Sequence, residues 1–205
     1  MSIHPVQLEV SRAASVPRIQ VAIRVVLVVA LGLIAGSSVY WLLYLALPAL
    51  VALELLQRGP EVFRDRDAPR LIRALRWLAG AEAYLYFLTN ELPTSGGGAV
   101  DLQVNPTGVP AARSALMRLL SSLPALLLVV VLTAVSSLIW IVAAIFALVT
   151  ERVPRLFGDL FLMVLRFKFR LAAYHLSLVD RYPSLSEQGS SPRDISHEDQ
   201  VGVPS

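Results

Sequence analysis

The chain has 205 residues, of which 56% are hydrophobic and 16% charged, with a net charge of +3 and no cysteine. An ordinary soluble domain carries about 25% charged residues, so the apolar excess points to lipid. The lack of thiols excludes disulfides, thiolate metal sites and cysteine nucleophiles.

The basic side is almost all arginine, Lys168 being the only lysine. These arginines flank apolar blocks, as positive-inside charge does. A nucleic-acid partner calls for a basic face with aromatics on a soluble fold and is not expected.

In chain order, residues 1–5 read as loose. Val6-Gln7-Leu8-Glu9-Val10 alternates apolar and polar, the pattern of a half-buried strand. Ser11 to Pro17 reads as a linker with a Val-Pro close. The apolar run that follows starts too late and runs too long for a cleaved signal peptide. From Val21 to Gln57 the chain is nearly all apolar. A straight helix of that length reaches roughly 50 Å, against a hydrocarbon core of about 30 Å.

Three solutions are open for this run. It is one tilted helix that projects from the bilayer, or a crossing that continues as a surface helix after Tyr40-Trp41-Tyr44, or a re-entrant hairpin near Gly36-Ser37-Ser38. Pro48 is a candidate kink or break. Residues 58–70 read as a charged loop. A helix over about 69–92 then ends before Pro93, and its Arg73, Arg76 and Glu82 suit an interface or a packed helix.

After a flexible joint at residues 94–99 the programme restarts. Val100-Asp101-Leu102-Gln103-Val104 alternates again, and Val109-Pro110 repeats Val16-Pro17. A second membrane segment spans about 116–150 and a second amphipathic helix about 154–182. Arg166, Arg170, Ser177 and Arg181 form its polar stripe. Leu160, Val164, Phe167, Leu171, Tyr174 and Leu178 form its apolar one. Residues 185–205 read as a disordered tail. At a constant spacing, Leu75-Arg76-Trp77 answers Leu165-Arg166-Phe167, Ala83-Tyr84 answers Ala173-Tyr174, Leu88 answers Leu178, Asn90 answers Asp180 and Pro93 answers Pro183. The expected fold is therefore a mainly α membrane protein of two tandem repeats, residues 1–93 and 94–184. Each has a short β-strand, a long apolar helix or helical hairpin, and an amphipathic helix. If the two strands pair with each other, both lie on one side of the membrane, and each unit crosses an even number of times or not at all.

The Leu-Arg-Phe, Ala-Tyr and Asp180-Arg181-Tyr182-Pro183 pattern, with the Arg152-Val153-Pro154 turn, resembles domain-of-unknown-function family 4389, a group of bacterial membrane proteins. The first unit keeps Leu75-Arg76-Trp77, Ala83-Tyr84 and Pro93 and departs at Asn90-Glu91-Leu92. The resemblance implies an integral or tightly bound bacterial membrane protein and implies no activity; the expected location is the bacterial inner membrane.

No catalytic, cofactor or metal site is expected. His4, His175 and His197 are scattered, and the sequence offers no carboxylate one turn from His175. No nucleophile elbow surrounds the serine pairs at 37–38 and 136–137, which read as packing contacts in lipid. Gly96 to Gly98 lacks the context of a phosphate loop. Glu54 and Glu82 are candidate intramembrane carboxylates, read first as interfacial or paired. Arg24 and Arg118 read as headgroup anchors. Arg76 and Arg166, at equivalent places, are candidates to hold lipid phosphate or a carboxylate of the other unit. With Arg170, Trp77, Tyr84 and Tyr174 they form the expected lipid or partner surface. The expected partners are membrane lipids, a larger membrane complex, or a second copy. The expected function is a non-enzymatic scaffold, accessory subunit or membrane-shaping protein. The alternative is a small transporter or lipid-handling protein with pseudo-symmetric repeats.

Overall fold

The two alternating stretches become β1 (Val6–Val10) and β2 (Val100–Val104), paired antiparallel with Leu8 opposite Leu102, Val6 opposite Val104 and Val10 opposite Val100. Val6, Leu8, Leu102 and Val104 are buried on one face, while Glu9, Asp101 and Gln103 are exposed. The computed structural model describes residues 5–93, 98–106, 117 and 123–182, with the backbone alone for 33–45 and 48. Arg118, His4, His197, the Val109-Pro110 repeat and the tail lie outside the described residues.

Backbone bonds flank the ladder: Ser11 N–H to the Ala99 carbonyl (2.7 Å) and Asn105 N–H to the Pro5 carbonyl (2.9 Å). They put the odd-numbered positions of β1 in hydrogen-bonded pairs. Leu8 and Leu102 are then a non-hydrogen-bonded pair, and their carbonyls point away from each other to the two outer edges of the sheet.

The first apolar run is α1 (Arg18–Arg58), helical without interruption for 41 residues, or about 60 Å. The hairpin near Gly36 is not formed, and the backbone stays helical through Pro48. The helix stops at Gly59, whose φ of 80° lies in the region open to glycine.

The expected charged loop is instead helical. Pro60 opens α2 (Pro60–Val62), where its missing N–H costs nothing, and a π-helical turn (Phe63–Asp67) leads into α3 (Ala68–Leu85). Phe63 and Ala68 are buried and fix this connection to the core.

The second apolar run is α4 (Leu123–Thr150), and after a short turn the chain folds back as α5 (Arg155–His175). Phe146 and Phe157 meet edge to face at 6.2 Å across that turn. Ala125, Val129, Ser136, Ala143 and Ala147 form the buried side of α4. These residues are mostly small, which lets helices approach closely.

α3 and α5 run antiparallel beneath the sheet, with Glu82 against Lys168 at 2.6 Å and Tyr86 against Phe161 at 4.9 Å between ring centres. Both helices end well before Pro93 and Pro183. The Leu88 N–H reaches the Ala83 carbonyl at 2.9 Å and the Leu178 N–H reaches the Ala173 carbonyl at 3.0 Å. Phe87 (φ 60°) and Ser177 (φ 56°) take the left-handed turn that these bonds require.

The polar stripe expected on α5 is not a solvated face, because Arg170 and Ser177 are buried. The helix packs against β1, α3 and α4, which leaves little of it to solvent.

Candidate functional site

Arg76 lies near the middle of α3 and Arg166 near the middle of α5. Arg76 Nε donates to the Leu102 carbonyl at 2.9 Å, and Arg166 Nε donates to the Leu8 carbonyl at 3.1 Å. These are the two carbonyls that the antiparallel pairing turns outward. Each arginine therefore takes up an acceptor at one edge of the sheet, where an open edge is otherwise a template for another strand. The equivalent residues make equivalent bonds crosswise: the first helix holds the second strand, and the second helix holds the first.

The two guanidinium groups differ in surroundings. Arg76 is exposed, while Arg166 is half-buried. Burial lowers the Arg166 pKa from its ordinary value, the nearby Arg12 charge lowers it further, and Glu9 opposes both.

Of the other expected contact residues, Trp77 is 49% exposed and remains available at the surface. Tyr84, Tyr174 and Arg170 are buried and offer no lipid-facing surface in this conformation. Tyr174 packs edge-on against Tyr182 at 5.6 Å.

Arg24 is not a headgroup anchor: it is 0% exposed. Its Nη2 donates to the Thr89 carbonyl at 2.9 Å, to Asn90 Oδ1 at 3.1 Å and to Gln20 Oε1 at 3.0 Å. Its guanidinium carbon sits 4.1 Å from the Tyr84 ring centre and 5.2 Å from that of Phe87. The charge is thus used inside, gathering the end of α3 onto the start of α1 through carbonyl bonds and aromatic faces. Sequence reasoning placed Arg24 beside lipid because it flanks an apolar run. The signal for its true place lay in Tyr84 and Asn90, about sixty residues away.

The candidate carboxylates are both paired. Glu54 meets Arg58 at 3.2 Å one turn along α1, and Glu82 meets Lys168. His175 is fully buried, and desolvation lowers its pKa to about 4. Among the described residues no group of three or more His, Cys, Asp or Glu is placed to hold a metal ion.

The remaining feature is apolar. Opposite its buried side, α4 exposes Leu127, Val131, Leu138, Ile141, Ile145 and Val149, and α1 exposes Ile19, Ile23, Val26, Val29, Leu50, Leu53 and Leu56. Among the described residues α4 is a helix long and apolar enough to cross a membrane.

Among the described residues the fold is mainly helical, with one short two-stranded sheet and one candidate apolar span. Residues 112–186 match the model of the family described as Domain of unknown function (DUF4389). That region holds α4, α5 and the left-handed turn after it, and agrees with the resemblance read from Leu165-Arg166-Phe167 to Pro183. No curated protein and no solved structure matches the chain.

Proposed function

We propose that the chain is a non-enzymatic integral membrane protein of two tandem units, residues 1–93 and 94–184. In this reading it acts in the bacterial inner membrane as a scaffold or accessory subunit of a larger complex, or by shaping the bilayer. The observation that carries this reading is the division of labour among its polar groups. Arg76, Arg166, Arg24, Glu82 and Lys168 hold separate elements together and Glu54 pairs along its own helix, while the broad exposed surfaces of α1 and α4 are apolar. A transporter needs a polar lining between its units, and pairing of both candidate carboxylates weighs for the scaffold.

The duplication is supported by geometry that repeats between the two halves, at a spacing of 90 residues for the helices and 94 for the strands. Arg76 and Arg166 make the same bond to opposite strands, Phe87 and Ser177 make the same turn, and Leu8 faces its own counterpart Leu102.

The test is purification of the tagged full chain from its own host in mild detergent, followed by quantitative mass spectrometry. A membrane protein recovered at fixed stoichiometry, and lost when Trp77 is replaced by Asp, supports the subunit reading. Recovery of the chain with lipid alone supports bilayer shaping. Substrate-dependent flux in vesicles that disappears in the Glu54→Ala/Glu82→Ala double variant overturns both in favour of transport.

A further inference from the structure

We propose that α4 lies in the plane of one bilayer leaflet and, though long enough to cross, does not cross. This rests on the membrane reading above and assigns the exposed apolar face one occupant, the acyl chains of a single leaflet.

The first observation is where the helix ends sit. Val16 N–H bonds the Glu151 carbonyl at 2.8 Å and Arg18 pairs with Glu151 at 3.4 Å. Val16, Val21, Phe87, Ala144 and Ala147 pack as one cluster. The start of α1, the end of α3 and the end of α4 therefore meet at one place. At the far end of α4, Ala125 and Val129 belong to the same continuous core as Val6, Leu8, Leu102 and Val104 of the sheet. Both ends of α4 are thus packed against the rest of the protein, so the molecule lies along α4.

The second is the level of the sheet. α5 folds back along α4 from the turn at 151–154, so its midpoint, residue 165, falls opposite about residue 140 of α4. That is roughly 5 Å from the middle of α4. Arg166, one residue further, holds the centre of β1. An upright α4 centred on the bilayer brings the sheet, with exposed Glu9, Asp101 and Gln103, to the depth of the hydrocarbon core. Ionised side chains facing lipid there are rare and costly. An in-plane α4 instead leaves the sheet two packed layers away, about 20 Å from the apolar face.

The third is length. α4 has 28 residues, about 42 Å, and overhangs an upright crossing of the 30 Å core by about 12 Å. No charged residue interrupts it from Leu123 to Thr150. Leu127, Leu138 and Val149 are 66%, 69% and 66% exposed. Each is eleven residues from the next, a drift of about 20° per step and about 40° in all, so the apolar stripe is continuous from end to end. In the plane of a leaflet that whole stripe is covered, without mismatch.

The same three residues supply the test, in a chain with no native cysteine to interfere. Leu127→Cys, Leu138→Cys and Val149→Cys are made singly in the full chain, with Asp101→Cys as the sheet reference. They are nitroxide-labelled and reconstituted in phosphatidylcholine–phosphatidylglycerol vesicles. Depth is read from relative accessibility to oxygen and to a water-soluble nickel chelate. The expected result is three depths equal to within about 5 Å, all in one leaflet, with Asp101→Cys in water. If Leu138→Cys is about 16 Å deeper than either neighbour, as eleven residues of an upright helix require, α4 crosses and the proposal fails. If all three are as accessible to the chelate as Asp101→Cys, the membrane reading fails with it.

Discussion

An arginine near a long apolar segment is ordinarily read by its charge, yet Arg76 and Arg166 act here first as hydrogen-bond donors to a sheet edge. Removing either leaves an outward carbonyl of Leu8 or Leu102 without its donor, at a cost of about 1–2 kcal/mol for a bond from a charged group. Exposed Arg76 belongs at the low end because water replaces it. Arg76→Ala is therefore expected to lower stability less than Arg166→Ala, measured by denaturant titration in micelles. Equal losses would count against the edge-pinning account. His175 makes a separate prediction. Buried and held neutral, it has a folded-state pKa of about 4, below the ordinary value of roughly 6.5. A lowered folded-state value means that its contribution is complete above about pH 6.5 and is lost as pH falls towards 4. The gap corresponds to about 3 kcal/mol. His175→Leu is expected to flatten the acid limb of the stability–pH curve over that range and to leave its slope above pH 7 unchanged.

At the scale of elements, the two helix stops carry a prediction that packing alone does not. Ser177 holds a left-handed φ of 56°, and its hydroxyl is buried without a hydrogen-bond partner. Both features are unfavourable, and glycine removes both, so Ser177→Gly is expected to stabilise by about 1 kcal/mol. At the equivalent Phe87 the same change removes a ring stacked on Trp140 at 5.5 Å and is expected to destabilise. Thermal unfolding of the two variants gives opposite signs if this holds. These stops also show where the sequence was readable. The strands Val6–Val10 and Val100–Val104 were legible to the residue, because period-two alternation specifies a half-buried strand directly. The expected helix ends, just before Pro93 and Pro183, fall about seven residues late, because Phe87 and Ser177 carry no glycine signal and their turn is set by tertiary contact. Residues 60–67 read as a loop for their charge, though the buried Phe63 and Ala68 make them a helical lead-in. Of the candidate site, the equivalence of Arg76 and Arg166 was visible in the spacing. Their acceptors were not, since these are backbone atoms whose direction depends on strand register.

At the scale of the whole molecule, the crossed bonds make each half of the chain the completion of the other. β1 is covered by β2 and pinned by Arg166; β2 is covered by β1 and pinned by Arg76. The Glu82–Lys168 pair and the Trp140 indole donating to the Leu85 carbonyl at 2.8 Å tie the helices in the same crosswise sense. A single unit separated from the other has a lone strand with both edges open, and an isolated strand has no independent stability. The chain as a whole is therefore one cooperative body and not two beads. Cutting between residues 95 and 96 is expected to yield two fragments that accumulate only when produced together and that purify as a one-to-one complex. Arg76→Ala and Arg166→Ala, combined across the fragments, are expected to weaken that complex more than either alone. Fragments that fold and purify separately would show that the strand pairing and its arginine pins are ornaments on two self-sufficient units.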